Sequence, residues 1–144
     1  MQKFYLSKSS SRVINTLKSL KERGFIEEIQ NLSAQEARIE FSKIRARFAY
    51  KKKIDVLIKK DFKVENIPVR YYRGKNKSKN EILPIMIYFH GGGWVLGNAD
   101  THDQVCSILV NEGKYDLIAV EYSLAPEAIF PKAINEGKKI LKSV

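Results

Sequence analysis

The sequence predicts an α/β fold: a helical N-terminal segment, an antiparallel strand pair, and then a parallel βαβα series. Three observations point there. Apolar residues recur at helical spacing over roughly the first fifty positions. From Ile58 onward the period shortens to that of strands. Two apolar runs then follow, residues 82–89 and 116–122, separated by a helical pattern. A hydrophobic fraction of 44% with 29% charged residues suits one packed domain.

Taken in order, Val13, Ile14, Leu17 and Leu20 predict a short amphipathic helix closing near Gly24. A second helix is expected from Ser33, whose hydroxyl can accept the Glu36 amide while that carboxylate reaches back. Ala37, Phe41, Ile44 and Phe48 share one face of it. Both helices need apolar cover, either from each other or from a pocket beneath them. Phe62 and Val64, then Val69 and Tyr71, alternate with polar neighbours, and Gly74 to Asn80 forms a lysine-rich turn, so an antiparallel pair is expected. Residues 82–89 are apolar on both faces and read as a central strand, with Pro84 tolerated near its start. Thr101 and Gln104 predict a second capping box, Val105, Ile108 and Leu109 a helical face, and Gly113 its end. A buried strand over 116–122 and a helix from Pro131 complete the series, which implies parallel pairing with right-handed crossovers. Such a small sheet leaves an exposed edge that normally receives further strands or a partner.

The net charge of +10 is uneven: residues 1–80 hold 21 Lys and Arg against 8 Asp and Glu, and residues 81–144 hold 5 against 8. Lys51, Lys52, Lys53, Lys59, Lys60, Lys75, Lys77 and Lys79 could form a basic patch, but they lack the aromatic-interleaved or glycine-spaced pattern of a nucleic-acid module and read as a solvated surface. Nucleic acid is therefore not the expected partner. No apolar stretch approaches the ~18 residues of a membrane span and no signal peptide is evident, so a cytoplasmic location is expected. Cys106 is the single cysteine, excluding an intramolecular disulfide and a cysteine-based metal cluster, and a structural role in a helix is expected for it.

The chemistry is concentrated in His-Gly-Gly-Gly-Trp-Val-Leu-Gly-Asn-Ala-Asp-Thr-His-Asp, residues 90–103, directly after an apolar strand. Successive glycines cost backbone entropy and make sense where the main chain approaches a ligand and its amides point outward. Preorganised amides of this kind stabilise the negative oxygen formed in acyl transfer, and one such donor is worth on the order of 10²–10³ in rate. The loop fits neither the dinucleotide nor the phosphate-loop spacing, and no cofactor is implied. A purely structural glycine loop is the alternative, disfavoured because the carboxyl end of a parallel strand is where open sheets bind ligands.

With Gly97, Thr101 to Asp103, the segment Glu-Tyr-Ser-Leu-Ala-Pro-Glu at 121–127 and Phe-Pro-Lys-Ala-Ile-Asn-Glu at 130–136, the chain resembles the hormone-sensitive-lipase-like esterases of the α/β-hydrolase fold. The likeness is strong over about residues 62–140 and looser at Leu-Ser-Ala-Gln-Glu-Ala-Arg, 32–38, and Val64 to Tyr72. It implies a helical cap segment over 1–57 and the N-terminal half of the hydrolase domain over 58–144, ending before the nucleophile elbow. By the same likeness Gly92 and Gly93 would supply oxyanion amides, Gly91 would permit the turn, His90 would hold the loop without acting as base, and Trp94 would stand beside an acyl pocket. His102 is expected to start a helix. Ser123 and Glu121 stand where the family usually has arginine and aspartate, which puts local salt bridging in doubt. No serine has glycines two residues before and after it, and since the family's acid and histidine base follow its elbow in the chain, the likeness implies that nucleophile, acid and base are all absent here. The implied function is carboxylic ester hydrolysis, with this chain inactive alone and either a truncated product or half of a split enzyme that a second chain completes. The alternative is a non-catalytic protein that binds a small ester-like ligand.

Overall fold

The computed structural model describes residues 31–49, 51 and 53–144, together with Ile14, Asn15, Lys18, Ser19, Lys21 and Glu22. Those six positions are helical, and the remainder of the first predicted helix lies outside the described residues. Helix α1 (Ala34–Phe48) starts as expected: Ser33 Oγ accepts from the Glu36 amide, and the Glu36 carboxylate accepts from the Ser33 amide at 2.9 Å. Strands β1 (Ile58–Val64) and β2 (Ile67–Arg73) form the predicted antiparallel pair. Glu65 and Asn66 join them with φ of 51° and 64°, a two-residue turn whose twist matches the flanking strands. Strand β3 (Ile85–Phe89), helix α2 (Asp103–Glu112), strand β4 (Asp116–Val120) and helix α3 (Lys132–Ser143) follow.

The four strands form one mixed sheet in the order β1-β2-β4-β3, with β2 antiparallel and β3 parallel to β4. Alternation along the strands splits the core in two. Leu117 and Ala119 pack with Tyr72, Cys106 and Val110 on the α2 side, whereas Ile118 and Val120 pack with Val69, Tyr122 and Ile140 on the α3 side. Every residue of β4 is buried, the expected signature of a strand covered on both faces.

Three expectations need correction. Residues 82–89 do not form a central strand: the strand begins at Ile85, Pro84 contributing only its carbonyl, which accepts from the Asp116 amide, Ile82 is 98% exposed, and β3 lies at an edge of the described sheet. The capping box at Thr101 and Gln104 is absent. Thr101 Oγ1 instead accepts from the Asn98 amide and donates to the Asn98 carbonyl, and His102 occupies the cap position without a side-chain bond. Asp103 in the first turn supplies the compensating negative charge, held by the Tyr72 hydroxyl at 2.9 Å and by Lys59 at 3.1 Å. The core face of α2 is Cys106 and Val110 with half-buried Leu109, while Val105 and Ile108 turn towards α1. Gly113 does end that helix, its amide donating to the Leu109 carbonyl. Cys106 is fully buried, and burial pushes its thiol up to about 12, which suits the structural role.

A buried ion pair closes the sheet away from the glycine loop. Arg73, at the end of β2, donates to both carboxylate oxygens of Asp116 and to the carbonyls of Ser78, Lys79 and Glu81, and the Tyr71 hydroxyl donates to Asp116 at 2.6 Å. The paired side chains are 9% and 4% exposed. Burial works against the Asp116 carboxylate, but the hydrogen bonds from Arg73 and Tyr71 and the Arg73 charge outweigh it and hold its pKa below the usual value. A depressed folded-state pKa stabilises fully above the unfolded value of about 3.9, and the contribution is lost as pH falls through the lower folded value. Asp116→Asn is expected to cost about 3 kcal/mol, the low end of the range for a broken buried pair because Arg73 keeps its carbonyl partners. Urea unfolding at neutral pH measures this, and the difference from the parent should shrink as the pH is lowered below about 4.

Candidate functional site: the glycine loop

Parallel pairing puts the carboxyl ends of β3 and β4 at the same end of the sheet, so residues 90–97 and 121–131 become neighbours. The loop between them is built by backbone geometry. Gly92 has φ 139°, Gly93 φ 62°, Trp94 φ 61° and Gly97 φ 92°. A Cβ on Gly92 would lie 1.9 Å from the Leu96 carbonyl oxygen, and one on Gly97 would lie 2.6 Å from the Gly91 carbonyl oxygen. Glycine is therefore required at both positions. The Val95 and Leu96 amides donate to the Gly92 carbonyl at 3.2 and 2.9 Å, and the Ala125 amide donates to the Trp94 carbonyl at 2.8 Å. Among the described residues, the amides of Gly92 and Gly93 make no hydrogen bond within the protein.

His90 is buried and supports this turn. Its ring stacks on Tyr122 with centroids 4.4 Å apart and on His102 at 5.5 Å, and its Nδ1 lies 3.1 Å from the Gly91 carbonyl. The Tyr122 hydroxyl donates to the His90 carbonyl at 2.5 Å, tying the start of the glycine loop to the end of β4. His102 is buried beneath the loop, and desolvation, assisted by Arg45 and His90, lowers its pKa against the opposing pull of the Asn98 carbonyl. Its Nδ1 lies 3.2 Å from that carbonyl, so it serves the turn before α2 and does not line the groove.

That groove, about 490 Å³, runs between the glycine loop, the end of β3 and helix α3. Gly91, Gly92 and Gly93 form one wall, and Trp94, Phe89, Ile134 and Leu141 make it largely apolar. Trp94 is 62% exposed and is not a core residue. Gly137 permits α3 to approach β3, since a Cβ there would sit 3.3 Å from the Phe89 ring. A second cavity, about 550 Å³ between α1 and α2, is lined by Ser42, Arg45, Thr101 and Asp103 and stands apart from the glycine amides. Among the described residues no group of three or more His, Cys, Asp or Glu is arranged to hold a metal.

The substitutions noted at 121 and 123 do not loosen the loop after β4. The Glu121 carboxylate accepts from the Ala99 amide, and the Ser123 amide and hydroxyl both donate to the Glu136 carboxylate at 2.7 Å. Local pairing is kept by partners from α3 and from the glycine segment. Residues that sequence reasoning missed are Arg38, Tyr122, Glu127 and Glu136. All four lie in segments that carried the resemblance, Arg38 in 32–38, Tyr122 and Glu127 in 121–127 and Glu136 in 130–136, but nothing in those segments marked the individual side chains.

Residues 86–144 match a family model described as alpha/beta hydrolase fold. The chain is 37% identical over 71 residues to the carboxylic ester hydrolase LipN of Mycobacterium tuberculosis, covering 49% of this chain and 18% of that protein. It is 31% identical over 94 residues to the versiconal hemiacetal acetate esterase of Aspergillus parasiticus, covering 65% and 29%. The solved esterase of Pyrobaculum calidifontis superposes with a TM-score of 0.71 at 31% identity, covering 78% of this chain and 37% of that one. Over the matched residues the chain is similar to esterases of the α/β-hydrolase fold. The chain thus spans less than a third of these two curated relatives and little more than a third of the solved esterase. In the hydrolase frame, the glycine loop and groove lie within or directly beside the matched residues.

Gly92→Ala is expected to open the loop, because its new methyl meets the Leu96 carbonyl and its φ is strained for any side chain. A stability loss of about 1–3 kcal/mol is expected. Trp94 is the single tryptophan, so a shift in its emission, with the far-ultraviolet spectrum unchanged, reports the displacement directly.

Proposed function

We propose that this chain contributes the oxyanion-stabilising part of a carboxylic ester hydrolase, and that the nucleophilic serine, its acid and its base come from polypeptide outside these 144 residues. The observation that carries the reading is that Gly92 and Gly93, whose amides make no hydrogen bond among the described residues, line an apolar groove at the carboxyl end of β3. An ester whose acyl chain lies along Phe89, Ile134 and Leu141 would place its carbonyl oxygen near those amides. Charge developing on that oxygen during attack would meet donors already oriented, with no reorganisation at the moment of reaction. Gly91 permits the turn, His90 holds it from behind, and Trp94 flanks the mouth of the acyl pocket. Residues 1–57 act as the helical cap segment over a hydrolase core beginning at residue 58, and the protein works in the cytoplasm.

The sequence contains no serine flanked by glycines at two residues' distance, and the chain alone is proposed to be inactive. Strand β3 supports completion by added polypeptide. Its residues, Ile85 to Phe89, carry no charge and are 45% and 42% exposed at the two ends, whereas the opposite edge strand β1 bears Lys59, Lys60, Asp61 and Lys63. Lysines on an edge strand discourage pairing, and their absence from β3 fits a strand that receives a neighbour, from a second chain or from further chain.

The test is a chimera in which this chain replaces the corresponding N-terminal part of the Pyrobaculum calidifontis esterase. Hydrolysis of 4-nitrophenyl butyrate is expected from the chimera and not from the 144-residue chain. Gly92→Ala should lower the chimera's kcat by on the order of 10²–10³. A folded chimera that binds the ester without turnover would contradict the reading and favour a non-catalytic small-ligand protein on the same fold.

A further inference from the structure

We propose that Arg38, on helix α1, is the positioning residue that aims the Gly93 amide, so that the helical segment before the core sets the geometry of the glycine loop. The role assigned to that amide rests on the ester reading above; the positioning itself does not.

The argument follows the peptide planes. Arg38 Nε donates to the Val95 carbonyl at 2.8 Å. That carbonyl and the Leu96 amide belong to one rigid peptide plane, and they point in opposite directions. The Leu96 amide donates to the Gly92 carbonyl at 2.9 Å. The Gly92 carbonyl in turn shares its plane with the Gly93 amide. Fixing the carbonyl inward, against Leu96, directs the Gly93 N–H the opposite way. The guanidinium therefore sits at the head of a relay of two peptide groups that ends on the proposed donor. A cation at the head polarises each bond in such a chain and strengthens the last donor.

The rest of the guanidinium is fixed as firmly. Nη1 and Nη2 grip the two oxygens of Glu127 at 2.8 and 2.7 Å, and Nη2 also donates to the Ala125 carbonyl at 2.8 Å. The Ala125 amide holds the Trp94 carbonyl, so adjacent carbonyls of the glycine loop are secured from the same side. The Arg38 hydrogen bond holds the Glu127 carboxyl down at about 2, so the grip persists across the physiological range. Lysine cannot reproduce this arrangement, because its single ammonium has neither the fork for the carboxylate nor a donor at the Nε position.

The test uses amide hydrogen exchange and ¹⁵N spectra of the 144-residue chain with Arg38→Lys and, separately, Glu127→Gln. For Arg38→Lys, exchange at Val95 and Leu96 should rise at least about tenfold and the Gly93 amide resonance should move, with amides of β2 and β4 unchanged. Glu127→Gln keeps the Val95 bond and should alter Leu96 exchange by less than about threefold. Unchanged loop amides in Arg38→Lys would overturn the proposal. So would a uniform rise through loop and sheet, up to loss of the fold, which would mark Arg38 as a general stability contact. An inactive chimera in which the loop amides of Arg38→Lys respond as stated removes the ester reading and leaves the positioning role standing.

Discussion

Parallel pairing of β3 with β4 is the constraint on which the rest depends. Two parallel neighbours cannot be joined by a tight turn, so α2 must cross over between them, and both carboxyl ends are delivered to one end of the sheet. The glycine loop after β3 and the 121–131 segment after β4 then face each other, and each stabilises the other. Tyr122 holds the His90 carbonyl, Ala125 holds the Trp94 carbonyl, and Arg38 grips both segments at once. The strand that makes this possible, β4, is buried at every position and divides the core into its two apolar layers.

What the sequence made legible was governed by local rules. The capping box at Ser33, the hairpin, the buried strand from Asp116 and the helix after Pro131 depend on residues within a few positions of one another, and all are present. The glycine cluster announced itself because φ values near 62° to 139° admit little else. What escaped was non-local. Arg38 meets Glu127 across 89 positions, and no periodicity carries that information. The helix face of α2 was misjudged because a cysteine and a serine, Cys106 and Ser107, lie buried in it, while Ile108 does not. Thr101 kept its bonds within its own turn with Asn98, a common competitor of helix capping.

The contrast between the two edges of the sheet links fold to function. Strand β1 is guarded by lysines and pairs only through β2, while β3 presents an uncharged edge beside exposed Ile134 and Leu141 on α3. The groove lined by Gly91, Gly92 and Gly93 also takes Phe89 from β3 and Ile134 and Leu141 from α3, so it lies on that same unguarded side. On the proposed reading, catalytic competence and burial of the apolar edge would be one event, with the glycine loop already built before it.

The most direct test of the central claim is a titration of the ¹⁵N-labelled chain with butyrate, whose carboxylate carries negative oxygen on a short acyl chain. If the loop is an oxyanion site, the Gly92 and Gly93 amide protons move downfield and saturate, with Trp94 responding and residues around the α1–α2 cavity unaffected. Saturable shifts elsewhere, with both glycine amides unmoved, would contradict the account.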